Sequence, residues 1–524
     1  MKPLNLATDT ADTSSQCFAK LFYDAAMRWP DKAAIISTNS QRSLSYGELN
    51  NHAKRIAASL SHLSTNSRVM VIMDDKLLTA ASVIGIHYAG HVFIPVDARK
   101  FATIDPLIKT VQPNAILTEA GAIDAPELDR IKSVYGGVEL IDGNNAIQSD
   151  LVDGGDVFMP ALNDLAVMLF TSGTTSARKA VCLSHRAFAA PIYSINPAME
   201  YTHDAIEYVC GNLDHAFALG RFRTALPFGA TLVVDEGPLM PQKILTSLAA
   251  TGANVLSSPA AGILLLLHKH EADFATLHTQ LAIIKMASQA VSVAAKRKLV
   301  ALFPDTRIYL NYGLSEAQRT TLIALHNDPD HLHSSGKPVA GHRVIIRDPE
   351  THDEVAVGQV GLISVLGPNV MDQYWNNPEK TTAAFKDGWL VTDDLGYLTD
   401  TGYLVVQGRY DETINSGGEK YSPDEIENVL RPHMGEIGFA ICAMDDPMGI
   451  LGEVPVLCVE TGDSESPEKW KSWPALRIAL LKQKIGSIPK QAFSFKMLPR
   501  TTTGKIQRKK LTALCNELVG QIQK

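Results

Sequence analysis

The chain has 524 residues, 45% of them hydrophobic and 20% charged, and a net charge of −8. That length exceeds one ordinary core and predicts two or more domains, in a soluble globular composition. The acidic balance argues against a dedicated nucleic-acid binder, which would carry a basic excess.

The opening residues, MKPLNLATDTADTSS, lack the basic start and apolar stretch of a secretory signal. Short apolar runs of strand character then alternate with longer helix-like stretches: VMVIM (69–73), LLTAASVIGIHYAG, HVFIPV (92–97), AVMLF (166–170) and ATLVV (230–234). AAGILLLL (260–267) is far too short to span a bilayer, so no transmembrane segment is expected. LAIIKM (281–286), RIYL (307–310) and RVII (343–346) continue the alternation, which predicts α/β layers with largely parallel strands. Residues 388–418 are crowded with turn formers, and YSPDEIENVL then starts a helix, with Ser422 as N-cap, Pro423 at the first position and Glu425 completing a capping box. GFAICAM, VPVLCVE and ALRIALLKQKI suit a small α+β domain, which places the joint near Arg409–Glu412 and predicts domains at 1–408 and 409–524. The terminal GQIQK carries no lipidation or peroxisomal motif, and a cytoplasmic location is expected. Cys17, Cys182, Cys210, Cys442, Cys458 and Cys515 are scattered without C-x-x-C pairs and are expected as free core thiols.

Four segments carry chemistry. In LFTSGTTSARKAV (169–181) a strand runs into Thr171, Ser172, Gly173, Thr174 and Thr175, whose hydroxyls and N–H groups suit phosphate oxygens, with Lys179 supplying charge. It lacks the G-x-x-x-x-G-K-[ST] spacing of a Walker A loop, and a polar surface turn is the competing reading. In RIYLNYGLSEAQRT (307–320), Tyr312 offers a face to a purine and Glu316 an oxygen to Mg²⁺. GLSEA also approaches the G-x-S-x-G elbow of a serine hydrolase with Ser315 as nucleophile, and an ordinary strand-to-helix turn is equally open. WLVTDDLGYL (389–398) pairs Asp393 with Asp394, which suits ribose hydroxyls, a metal or a solvated turn. LPRTTTGKIQRKKL (498–511) presents Lys505 on a Thr-Gly loop, or is a basic solvated face.

In this order, and with AGHVFIPVD (89–97), NLDHAFALGRFRTALPFGATLVV (212–234), GLISVLGPNVMDQYWNNPEKTTAAF (361–385) and GRYDETINSGGEKYSPDEIE (408–427), the chain resembles the AMP-forming superfamily of acyl-CoA synthetases, non-ribosomal peptide adenylation domains and luciferases. The resemblance implies a large multi-subdomain N-terminal α/β domain with a small mobile α+β C-terminal lid. It implies ATP-dependent activation of a carboxylic acid to an acyl-adenylate, with Mg²⁺, followed by transfer to a thiol. By that likeness residues 171–175 and Lys179 hold the ATP phosphates, Tyr312 and Gly313 meet adenine, and Ser315 contacts phosphate. Glu316 and Thr175 serve Mg²⁺, Asp394 and Arg409 hold the ribose, and Lys505 bridges the substrate carboxylate and the α-phosphate. Asp411 is the hinge, Gly418 lines the thiol tunnel, and Asp214, His215, Ser288 and Gly313 line the acid pocket. If His215 gates that pocket the acid is acyl or aryl, whereas an inward Asp214 suits an amino acid. The family loop pattern T-S-G-T-T-G-x-P-K-G is broken at Ser176, Arg178 and Ala180, Asp393 replaces a glycine, and MASQAVS (286–292) alters the adenine-side segment. These departures keep a catalytically weak nucleotide-binding homologue open as an alternative. No carrier module follows Lys505, so the acceptor is expected in trans, as coenzyme A or the phosphopantetheine of a separate carrier protein.

Overall fold

The computed structural model describes residues 16–97, 104–148, 157–170, 179–234, 240–416, 419–434, 437–447, 452–462, 489, 491–501 and 504–522. The phosphate-loop residues 171–175, Gly418 and the whole of ALRIALLKQKI lie outside the described residues.

Two large sheets form the N-terminal domain. In the seven-stranded sheet, Leu165–Phe170, Val92–Pro95, Arg68–Ile72, Ala115–Thr118 and Glu139–Asp142 run parallel. In the nine-stranded sheet, Arg307–Tyr312, Ile283–Ala287, Val255–Pro259, Ile206–Val209, Thr231–Val234 and Ala33–Ser37 run parallel. The buried strands are largely apolar, as a sheet covered on both faces requires, with Glu207, Ser257, Ser258 and Lys285 as buried polar exceptions in the nine-stranded sheet. Helix Lys76–Tyr88 is buried from Leu77 to Tyr88, and its start is fixed by Asp75, whose carboxylate accepts from the N–H groups of Leu77 and Leu78.

Two expectations need correction. RVII lies in a five-stranded sheet whose pairings are antiparallel, not parallel. The turn-rich segment after 388 is mostly strand: Trp389–Leu398 and Leu404–Arg409 form a hairpin, with the turn formers concentrated between them. The helix predicted after it is present as Pro423–Met434, and the Ser422 hydroxyl donates to the Gln407 carbonyl (2.7 Å), tying the helix to the preceding strand.

Beyond residue 413 the buried apolar residues form two small clusters of their own, packed on the sheet Phe439–Asp445, Glu453–Glu460 and Gln491–Phe495. All six cysteines are buried and free, and the sulfurs of Cys442, Cys458 and Cys515 lie 3.4 to 3.9 Å apart in this second core. Among the described residues no helix is long and apolar enough to cross a membrane.

The N-terminal core also encloses an ion pair. Glu207 accepts from Arg221 Nε (2.6 Å) and Nη2 (2.8 Å) and from the Tyr201 hydroxyl (2.6 Å), with both charged side chains fully buried. Removing the carboxylate strands a guanidinium without solvent. We expect Glu207→Ala to cost about 3–5 kcal/mol in urea unfolding, and the double variant Glu207→Leu/Arg221→Met to recover most of it.

Candidate adenylation site

Three of the acid-pocket candidates follow the C-terminal ends of parallel strands, where ligands of open α/β sheets bind. Strand Ile206–Val209 leads to His215, Ile283–Ala287 to Ser288, and Arg307–Tyr312 to Gly313. His215 caps helix Ala216–Ala225, its Nδ1 accepting from the Phe217 N–H (3.2 Å). Asp214 lines a cavity with Lys76, Thr79, Asp97 and Asn212. Ser288 has φ +81°, a left-handed conformation that is costly for serine. Gly313 admits no side chain, since a Cβ would stand 2.4 Å from the Arg319 backbone N.

The hairpin supplies the next group. Its register sets Asp394 opposite Arg409. The Arg409 guanidinium donates to Asp393 (3.2 Å) and to Asp411 (2.8 Å) and stands 3.8 Å from Asp394. Tyr312 reaches across from the nine-stranded sheet and donates its hydroxyl to Asp394 Oδ2 (2.7 Å). Burial pushes the Asp394 carboxyl above its usual range; Arg409, the Tyr312 hydrogen bond and the positive charge of Lys505 offset part of that shift. Lys505, far along the chain and exposed, is thus brought within electrostatic reach of Asp394. Lys509 donates to the second Asp411 oxygen (3.1 Å), and Asp411 is held below the ordinary carboxylate range because Arg409 and Lys509 outweigh its burial.

Beside this group, Glu316 Oε1 accepts from the Tyr374 hydroxyl (3.0 Å), and the Lys179 ammonium lies 4.7 Å from the Tyr374 ring centroid. Burial raises the Glu316 pKa, against the pull of its own backbone N–H, Tyr374, Lys179 and Arg409. Ser315 is half-buried in the same turn, its carbonyl accepting a long bond from Gln318 Nε2 (3.5 Å). Among the described residues no histidine hydrogen-bonds Ser315, which leaves the hydrolase reading without a base. Tyr374 and Lys509 were not singled out as site residues by the sequence. Tyr374 and Lys509 each stood within a quoted motif, so position alone could have flagged both.

A carboxylate pair on a guanidinium, an aromatic ring, a buried acid and two ammonium groups suit a nucleotide and an anionic partner. Comparison with known proteins agrees. Residues 22–375, more than half of the chain, match the model of the AMP-binding enzyme family. A long-chain-fatty-acid–CoA ligase of Bacillus subtilis is 30% identical over 359 residues, 67% of this chain and 61% of that enzyme. An oxalate–CoA ligase of Arabidopsis thaliana is 25% identical over 514 residues, 94% of this chain and 98% of that enzyme. In fold, the crystal structure of ATP-bound MatB from Rhodopseudomonas palustris superimposes with a TM-score of 0.83 at 24% identity, covering 95% of this chain and 99% of that one. The chain therefore belongs to the AMP-binding enzyme family and is an AMP-forming acid–thiol ligase.

Proposed function

We propose that this enzyme joins a non-amino carboxylic acid to AMP with release of pyrophosphate and then passes the acyl group to coenzyme A. The observation that carries the reading is the convergence of Tyr312, Arg409 and Lys505, from sites up to the last twenty residues of the chain, on the Asp394 carboxylate. The named activities of the fatty-acid and oxalate ligases support coenzyme A as acceptor.

In the first step the substrate carboxylate attacks the α-phosphate, and pyrophosphate leaves. Two anions approach, so cations placed in advance lower the barrier. Lys505 bridges the two reacting groups, and Lys179 with the loop 171–175 holds the outer phosphates. Asp394 and Arg409 take the ribose hydroxyls, while the Tyr312 ring, fixed by its bond to Asp394, stacks on adenine. Glu316 suits Mg²⁺: it is a half-buried carboxylate with a raised pKa, and Lys179 lies over Tyr374 instead of pairing with it. Glu316 and Thr175 would hold the metal, whose chemistry there would be neutralisation of phosphate charge. In the second step the thiol attacks the acyl carbonyl and AMP leaves. Its approach, past Gly418, needs Lys505 removed, so the C-terminal unit from residue 409 swings about Asp411. Asp411 is suited to that role because Arg409 and Lys509, on opposite sides of the joint, both hold it. Acid-dependent ATP–pyrophosphate exchange, followed by thioester formation on adding coenzyme A, tests the whole reading; exchange without any acid dependence refutes it.

Lys505→Ala should lower pyrophosphate exchange by about 100-fold or more, because its charge acts at the transition state, while ATP affinity changes little. Thioester formation from a supplied acyl-adenylate should survive. The pH response follows from Glu316. Its raised pKa means the carboxyl takes up a proton at a higher pH than an ordinary glutamate, so apparent Mg²⁺ affinity should fall with decreasing pH before that of a solvent-exposed site does. Titrating magnesium at several pH values checks this, and Glu316→Gln should flatten the profile.

Asp411→Pro fixes φ at the joint and removes a backbone N–H. Adenylate formation should persist while thioester formation collapses, read by single-turnover assays of each step beside a melting curve. Equal loss of both steps in a well-folded variant would place the hinge elsewhere.

A further inference from the structure

Around helix Ala216–Ala225 four cations are buried against one carboxylate among the described residues. Arg221, Arg223 and Lys285 are 0% exposed and Arg319 is 4% exposed, and the carboxylate, Glu207, is already held by both ends of Arg221 and by Tyr201. Arg223 donates once, to Gln318 Oε1 (2.6 Å), and lies over the Phe188 ring at 4.5 Å; its Nε and Nη1 have no partner. Arg319 donates to the Phe217 carbonyl (3.1 Å), and its Nε has no partner. The Lys285 ammonium has none either and stands 5.8 Å from the Phe217 ring centroid.

A fold gains nothing from this arrangement by itself. Each buried N–H left without an acceptor costs about 1–3 kcal/mol, and unpaired charge costs more. A lysine can release its proton, and burial, with Arg319 and Arg221 beside it, drives the Lys285 pKa well down. A guanidinium holds its proton far more strongly, so Arg223 and Arg319 call for an anion that the described chain does not supply.

The position of the cluster says where that anion comes from. The Arg319 guanidinium occupies the space where a side chain at 220 would begin, since a Cβ on Gly220 would lie 2.0 Å from Arg319 Nη1. Gly220 and Phe217 belong to the helix that His215 caps, Lys285 lies on the strand that ends just before Ser288, and the Arg319 backbone closes on Gly313. His215, Ser288 and Gly313 are three of the four residues assigned above to the acid pocket. The cations therefore stand on the helix, strand and turn that carry or adjoin those three residues.

We infer that the acid activated here carries a second anionic group, and that Arg223, Arg319 and Lys285 receive it while the first carboxylate meets ATP. The substrate class is thus a dicarboxylic acid. This rests on the ligase reading above and narrows it: a cluster of cations repels the ammonium of an amino acid and leaves a plain fatty chain facing unpaired N–H groups. A site built to bond a polar group discriminates strongly against an analogue lacking it.

The test compares straight-chain diacids of two to six carbons with monoacids of the same length, by pyrophosphate exchange and by thermal melting of the full chain. At least one diacid should exceed its matched monoacid by about 100-fold in kcat/KM. Arg319→Met and Lys285→Met should remove most of that preference, lowering the diacid while leaving or raising the monoacid, and Arg319→Lys should restore part of it. Because a variant that fails to fold would lose both acids, the retained monoacid rate separates specificity from misfolding. Equal or greater activity on monoacids overturns the proposal and leaves the ligase reading intact. If no acid of this panel supports exchange, melting still decides the anion site. A diacid-specific rise in Tm, absent in Lys285→Met, supports the site; no rise, or the same rise with inorganic phosphate or chloride, overturns it.

Discussion

The Arg409 guanidinium is the constraint on which the site's geometry depends. It ends one strand of a hairpin, faces Asp393 and Asp394 on the other, and reaches forward to Asp411. Three carboxylates clustered without it would repel one another. Its charge offsets part of the effect of burial on Asp394, which in turn orients Tyr312 from a different sheet. The same side chain therefore holds both the carboxylate proposed for the ribose and the residue proposed as the hinge. Weakening it would loosen both at once.

A second charge network lies just beyond the joint. Arg508 donates to Glu412 (3.0 Å), Asp424 and Glu427 (2.8 Å), so helix Pro423–Met434 and helix Arg508–Ile522 are bound to the chain immediately after Asp411. Lys505 sits three residues before Arg508. A swing about Asp411 would thus carry Lys505 with a stiff body, which suits a lysine needed in one step and unwanted in the next. The Lys509–Asp411 bond is the contact at the joint that such a swing would have to renegotiate.

Most of the architecture could be read from periodicity. The apolar runs at 69–73, 92–97, 166–170 and 307–310 are strands because they are covered on both faces, and continuous apolarity is what such burial demands. Direction was less legible, since RVII has the same composition in an antiparallel sheet. The hairpin at 389–409 was hidden by its glycines and aspartates, which serve pairing and ligand contact there as much as turning. Motif order identified Tyr312, Glu316, Asp394, Arg409 and Lys505 as candidates, and these are the residues that the structure draws into connected groups. Tyr374 and the buried cations escaped because their meaning lies in what surrounds them. Within RFRTALPF, Arg221 and Arg223 look alike, yet one has a carboxylate and the other has none.

Gly220 and Arg319 form a pair that cannot vary independently. The guanidinium fills the volume in which a side chain at 220 would start, so even alanine there would displace it. Conversely, a small residue at 319 would leave a void over Gly220 that a bulkier residue at 220 could occupy. Related chains should therefore fall into two states, glycine with arginine or a larger residue with something smaller, and mixed pairings should be rare. Position 220, which has no functional atoms of its own, would then mark in a bare sequence which kind of acid the enzyme was shaped to take.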